Sequence, residues 1–148
     1  MQLILPAEVR DQIVGHAFRS IPSEAVGLLG GRQNKVHMAL ALKNVAREGV
    51  FLANAYDQFR AEKAIGSKGM EILAIYHSHP DGCVCLSDLD IAFAKNWQCT
   101  HIVISLDTQM RRARIRGYSV SGQLPTEVHL LAIDGKGSPT TMSELRYP

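Results

Sequence analysis

The sequence is poor in cysteine and aromatic residues, and it has no long apolar run. Its 148 residues include three cysteines and one tryptophan, and aromatic residues make up 6% of the chain. Three cysteines, two of them in the order Cys83-Val84-Cys85, are too few for a disulfide scaffold, so we expect them to be thiols in a reducing compartment. No window approaches the roughly 18 uninterrupted apolar residues that a membrane helix needs. The sequence therefore predicts neither a disulfide-rich secreted module nor a membrane protein.

The sequence also lacks a strong charge of either sign and a targeting signal. Sixteen Lys and Arg residues against fourteen Asp and Glu residues give a formal net charge of +2, which is too small for the basic field that nucleic-acid binding needs. The N-terminus, MQLILPAEVRDQ, has no basic segment followed by a sustained apolar segment, as a signal peptide would have. We therefore expect a cytoplasmic protein that binds neither nucleic acid nor a membrane.

Basic residues cluster at one place in the chain. Their alternation with other residues indicates a strand with a solvated face, and a weak surface for an anionic partner is the alternative. The cluster consists of Arg111, Arg112, Arg114 and Arg116.

The length and composition fit one folded domain. Hydrophobic residues make up 46% of the chain and charged residues 20%, as in ordinary globular proteins. A chain of this length buries one core and is too short for a second. We assign residues 1–134 to the domain and residues 135–148, which include Gly135, Gly137 and Pro139, to a loosely held tail.

Strand patterns and helix patterns alternate along the chain. The run EILAIYH is continuously apolar with β-branched members, which is typical of a strand covered on both faces. Apolar residues from Val9 to Phe18 recur at helical spacing. The predicted strands are 3–5, 24–31, 35–44, 71–77, 101–107, 111–120 and 125–133, and the predicted helices are about 6–21, 56–65 and one that begins at Ser87. This order predicts an α/β domain with a mixed β-sheet flanked by helices.

The segment AIYHSHPDGCVCLSDLDIAFA concentrates metal-binding side chains where a strand meets a helix. Because strand side chains alternate between faces, His77 and His79 project to the same side. Asp90 lies on the first turn of the next helix, close enough for its carboxylate to return over the strand end. Two histidines and one carboxylate are three protein ligands, the number that a catalytic zinc ion uses. The sequence therefore predicts one zinc ion on His77, His79 and Asp90.

Hydrolysis at such a zinc ion also needs a base and a donor to the oxyanion. Glu24, at the start of the apolar strand EAVGLLGG, is the candidate base, although glutamates in such loops commonly face solvent. Ser87 is the candidate donor, although Ser87 and Asp90 together also match a helix N-cap. The two histidines alone could be ordinary strand-end residues. The ordered spacing H-x-H, seven residues, S-x-x-D makes a chance combination a weak explanation.

This spacing resembles the H-x-H-x7-S-x-x-D signature of JAMM metalloproteases, the catalytic branch of the MPN domain. The segments HSHP and SDLD supply the signature, and SEAVGLLGG is similar to the acidic strand of that family, whose glutamate matches Glu24. The resemblance implies a cytidine-deaminase-like α/β fold and a zinc ion on His77, His79 and Asp90. It also implies that Glu24 holds the zinc-bound water and that Ser87 donates to the oxyanion.

The resemblance further implies a substrate class. The short length and the segment NVAREGVFLANAYDQF are similar to stand-alone prokaryotic members, several of which act on ubiquitin-like sulfur-carrier proteins. Peptide or isopeptide hydrolysis at the C-terminal Gly-Gly of such a carrier is therefore the leading function, with the carrier's tail paired along a sheet edge. The sequence leaves open whether the protein forms a homodimer.

Two other classes of protein are alternatives. A non-catalytic MPN scaffold would leave a complete set of site residues idle. A zinc nucleobase deaminase needs H-x-E followed by P-C-x-x-C, whereas this chain has His79 at the glutamate position and a C-x-C spacing.

The two neighbouring cysteines depart from the family pattern, and four interpretations stay open. Cys83 and Cys85 could be loop thiols with no role at the metal, inhibitory zinc ligands, groups that undergo reversible oxidation, or contacts for a thiocarboxylated product.

Overall fold

The computed structural model describes residues 1–147, so Pro148, the last residue of the predicted tail, lies outside the described residues. Every strand and helix that the sequence predicts is present, and the tail adds two short strands. The elements are β1 (Gln2–Pro6), α1 (Ala7–Ser20), β2 (Val26–Arg32), β3 (Lys35–Leu42), α2 (Ala55–Ser67), β4 (Glu71–Pro80), α3 (Asp88–Ala94), β5 (Thr100–Asp107), β6 (Arg112–Ser119), β7 (Thr126–Ile133), β8 (Pro139–Thr140) and β9 (Leu145–Arg146).

The strands form one mixed sheet in the order β8-β7-β1-β3-β2-β4-β5-β6-β9. β1 runs parallel to β3 and to β7, and β4 runs parallel to β5, whereas the other neighbours are antiparallel. Residues 117–119 of β6 also pair with residues 126–128 of β7. This extra pairing joins the two sides of the sheet, so the seven long strands curl into a closed ring.

Helices cover both faces of the sheet, as the sequence predicts. α1 buries Ile13, Ala17 and Phe18 in a core cluster on one face. α2 buries Ala61 and Ile65 in a second cluster on the other face. Within the described residues, no helix is long and apolar enough to cross a membrane.

The arginine cluster lies on β6, as the alternation predicts. Arg112 is half-buried, Arg114 and Arg116 are exposed, and the residues between them are buried. Arg111 differs, because its guanidinium lies over the rings of Phe18 and Tyr147.

The C-terminal segment is more firmly held than its glycines and prolines suggest, which corrects the expectation of a loose tail. β8 pairs with β7, and β9 pairs with β6. Leu145 is buried in the first core cluster, and the Tyr147 ring stacks on Phe18 with centroids 4.7 Å apart. Two apolar side chains therefore anchor a segment whose local composition favours loops.

Candidate metal centre

His77 and His79 lie at the carboxyl end of β4, on the face of the sheet that α2 and α3 cover. Strand alternation places both rings on this face, and their Nε2 atoms are 3.0 Å apart. His77 is buried, whereas His79 is half-buried at the edge of a cleft. The pair that the sequence predicts is therefore formed.

Asp90 meets the two histidines because of the way α3 begins. The Ser87 N–H donates to Asp90 Oδ2 at 2.9 Å, and the Asp90 N–H donates to Ser87 Oγ at 3.1 Å, which together form a capping box. The same Oδ2 atom lies 3.1 Å from His77 Nε2 and 3.2 Å from His79 Nε2. Ligands of a tetrahedral zinc ion with bonds of about 2.0 Å are about 3.3 Å apart. The three atoms therefore have nearly the separations that zinc requires.

Glu24 is buried immediately before β2, so the solvent-facing alternative is wrong. Its Oε1 lies 4.0 Å from His79 Nε2, and its Oε2 is buried with no hydrogen-bond partner among residues 1–147. Burial raises the pKa of Glu24 to about 7, which nearby His79 opposes and nearby Asp90 reinforces. A carboxyl group that titrates near neutral pH can both accept and return a proton.

Burial and mutual contacts shift the protonation of the other site residues. Burial would raise the pKa of Asp90, but the bonds to His77 and His79 hold that pKa far below its usual range. Burial lowers the pKa of His77, which favours the neutral ring that a metal needs. Burial also acts to lower the pKa of His79, but Asp90 and the Cys83 carbonyl raise it overall.

Two sets of ligand atoms overlap at this place. Glu24, His77 and His79 offer ligand atoms within 4.8 Å of one another, so these residues could hold a metal ion. Asp90 Oδ2 is closer to both histidines than Glu24 is. The predicted ligand Asp90 is therefore better placed than Glu24, which leaves Glu24 at the distance of a neighbouring base.

Ser87 serves the helix and also faces the cleft. Its Oγ accepts the Asp90 N–H, so the N-cap interpretation is confirmed. Its own hydroxyl hydrogen is not used by that bond, and the residue is exposed. Donation to an oxyanion therefore stays a prediction. The cleft has a volume of about 510 Å³ and is lined by Pro22, Glu24, Glu48, Gly49, His79, Pro80, Gly82 and Ser87.

Cys83 and Cys85 are joined by a disulfide, which corrects the expectation of free thiols. Cys99 is the free cysteine, and it is half-buried. A disulfide sulfur is not a thiolate, so the inhibitory-ligand interpretation does not apply to this state. The Cys83 carbonyl oxygen instead lies 2.8 Å from His79 Nδ1.

Two residues that sequence reasoning missed support the site from the loop between β3 and α2. The Phe51 ring stacks on His77, with centroids 4.5 Å apart. The Asn44 Nδ2 donates to the Glu24 and Val50 carbonyl oxygens at 2.9 and 3.2 Å. Its Oδ1 accepts the N–H groups of residues 46 and 52 at 2.9 and 3.0 Å. An asparagine at the end of a strand is a loop signal, but its backbone partners have no signature in the sequence.

The family of the chain follows from its sequence. Residues 6–116 match the family described as prokaryotic homologs of the JAB domain. The chain belongs to this family. A similar protein from Thermus thermophilus is 34% identical over 107 residues, which cover 71% of each chain, and its name is "Probable TtuB-protein conjugate cleaving protease".

Solved structures share the JAB/MPN fold. A protein of Desulfitobacterium hafniense has a TM-score of 0.80 and 24% identity, with 90% of this chain and 94% of that chain covered. A JAB1/MPN domain protein from Archaeoglobus fulgidus has a TM-score of 0.58 and 19% identity, with 88% and 97% covered. A structure described as a JAMM metalloprotease-like zinc site in the proteasome and signalosome has a TM-score of 0.56 and 17% identity, with 88% and 98% covered.

Proposed function

We propose that this JAB-family protein is a zinc-dependent peptidase that cleaves at the C-terminal Gly-Gly of a ubiquitin-like sulfur-carrier protein. The observation that carries the proposal is the close approach of His77, His79 and Asp90 beside a buried, unpaired Glu24 carboxyl group. A merely structural cluster would not need that unpaired group, because burying it without a partner costs free energy.

The residues present fit a zinc ion. Two imidazole nitrogens and one carboxylate oxygen are ligands that zinc prefers, and three protein ligands are typical of catalytic sites. His77, His79 and Asp90 would hold the ion. When bound, zinc supplies a Lewis acid that acidifies water and polarises a carbonyl group.

The protein side chains would divide the remaining chemistry. Glu24, whose pKa of about 7 suits proton transfer, takes a proton from the attacking water and returns it to the leaving amine. Ser87 donates its hydroxyl hydrogen to the oxyanion that develops at the attacked carbonyl. Phe51 and the Cys83 carbonyl hold the two imidazole rings in place.

The substrate class is supported by the Thermus thermophilus relative, whose name refers to TtuB-protein conjugates. That name describes cleavage of a conjugate, which supports a protein substrate with an extended tail. The open cleft beside Glu24, His79 and Ser87 gives such a tail access to the site. Both a linear peptide bond and a lysine isopeptide bond fit this access.

The test combines zinc content with product analysis. Elemental analysis of the purified protein should give one zinc per chain, and mass spectrometry should show cleavage after the Gly-Gly of a ubiquitin-like carrier that bears extra residues. Glu24→Gln should keep the zinc and lose the cleavage. Zinc without cleavage of carrier or conjugate would favour the non-catalytic scaffold, and absence of zinc would refute the proposal.

A further inference from the structure

A pair of cysteines lies in the loop that connects the two halves of the metal centre. Cys83 and Cys85 are exposed, and the disulfide between them closes a ring that contains only Val84 as an intervening residue. The loop follows His79 at the end of β4 and leads to Ser87 at the start of α3. The pair is therefore accessible to small molecules and lies between the metal ligands in the chain.

The disulfide ring contains a backbone atom that contacts a metal ligand. The Cys83 carbonyl oxygen lies 2.8 Å from His79 Nδ1. When Nδ1 is the protonated nitrogen, it donates to this carbonyl and leaves Nε2 free to bind a metal. The position of the Cys83 carbonyl thus selects both the tautomer and the orientation of His79.

Neighbouring carbonyl groups of the same loop are fixed by the sheet. The Ser105 hydroxyl donates to the Gly82 carbonyl and the Tyr118 hydroxyl donates to the Val84 carbonyl, both at 2.5 Å. The Cys83 carbonyl lies between these two anchors, and the disulfide is the covalent constraint on its peptide unit. Opening the ring therefore frees the carbonyl that contacts His79, while the anchors hold the rest of the loop.

We propose that Cys83 and Cys85 form a thiol–disulfide exchange site for low-molecular-weight thiols, and that the disulfide state holds His79 ready for metal binding. In the exchange, one thiolate attacks a sulfur of the disulfide, the Cys83–Cys85 bond breaks and a mixed disulfide forms. A second thiolate displaces the protein thiolate. Two thiols are oxidised to one disulfide, and the two cysteines are reduced and take up two protons.

The exchange itself is tested without any substrate. The protein is equilibrated with mixtures of reduced and oxidised glutathione, alkylated, and analysed by mass spectrometry of the peptide that contains both cysteines. We expect a reversible two-electron transition of Cys83 and Cys85. Cys99→Ser is the matched control and should give the same transition. Two free thiols in every mixture would overturn the proposal.

The effect on the metal site is measured as zinc affinity, after glutathione has been removed, by competition with a chromophoric chelator. Loss of an outer hydrogen bond to a ligand typically lowers metal affinity by about 10-fold or more, so the reduced protein should bind zinc about 10-fold more weakly than the oxidised protein. The variant with both Cys83→Ser and Cys85→Ser should match the reduced protein whatever the glutathione mixture, and Cys99→Ser should match the wild type.

The outcomes separate this proposal from the proposed function. Equal zinc affinity in both redox states would refute the coupling to His79 and leave the peptidase intact. Conversely, a redox-dependent zinc affinity in a protein that cleaves no carrier would support the coupling and refute the peptidase. Each single serine variant tests folding independently, because either one alone abolishes the ring.

Discussion

At the scale of single residues, the Glu24 carboxyl group decides how the metal-free protein responds to pH. Burial raises its pKa from 4.5 to about 7. Between these values the folded state retains a proton that the unfolded state releases, so this group makes the protein less stable as pH rises. Glu24→Gln has no such titration. The metal-free variant should therefore gain stability relative to the metal-free wild type between pH 5 and pH 8.

The measurement is thermal unfolding of both proteins after removal of metal. A relative gain of roughly 2–4 °C corresponds to about 1 kcal/mol for a chain of this size. A difference in melting temperature that stays constant across this pH range would show that Glu24 titrates normally.

Ser87 combines two roles that one substitution can separate in magnitude. Ser87→Ala removes an N-cap, which should cost about 1 kcal/mol of stability. It also removes the proposed oxyanion donor, and loss of such a donor lowers kcat by about 100-fold or more. We expect the zinc content to stay unchanged, because Ser87 is not among the proposed ligands.

Steady-state kinetics on the cleaved carrier provide the test for Ser87. Ser87→Thr keeps the hydroxyl and should retain most of both properties. If Ser87→Ala loses stability but keeps its kcat, the residue serves the helix alone.

At the scale of elements, the loop between β3 and α2 depends on Asn44. Its side-chain amide makes four hydrogen bonds to the backbone of Glu24 and of residues 46–52. Asn44→Ala leaves these backbone groups without a protein partner and should free the loop from the site. Limited trypsin digestion should then cut at Arg47, an exposed residue of this loop. Asn96→Ala, at an exposed asparagine, is the matched control and should leave Arg47 protected.

The same variant tests whether the loop positions the metal ligand. Phe51 is held on His77 by this loop, so Asn44→Ala should also weaken zinc binding. Rapid cleavage at Arg47 with unchanged zinc affinity would show that the loop and the metal site are independent.

The elements could be predicted from the sequence where periodicity is strong, and the site where its spacing is local. The run EILAIYH predicts β4, and the alternation of His77 and His79 places both on one face. Asn44 and Phe51 could not be predicted, because their contacts join segments that are distant from each other in the sequence. The disulfide was missed because the number of cysteines favours thiols, whereas the loop brings Cys83 and Cys85 together.

At the scale of the whole molecule, the sheet is completed by the C-terminal segment. β9 pairs with β6, and Arg10 on α1 donates to the Thr141 carbonyl oxygen at 2.8 Å. The sequence does not reveal this docking, because Leu145 and Tyr147 are isolated apolar residues among loop-forming ones. The segment therefore contributes to the same core as α1 and β5.

Leu145→Ala measures how much this docking stabilises the fold. Leu145 is 8% exposed in the core, whereas Leu124 is 80% exposed in the turn between β6 and β7. Truncation of a buried leucine costs about 2 kcal/mol or more, which should lower the melting temperature by roughly 4–8 °C in a chain of this size. Leu124→Ala should leave it nearly unchanged. Equal melting temperatures for the two variants would mean that the segment after residue 134 is only loosely attached in solution, as its composition suggests.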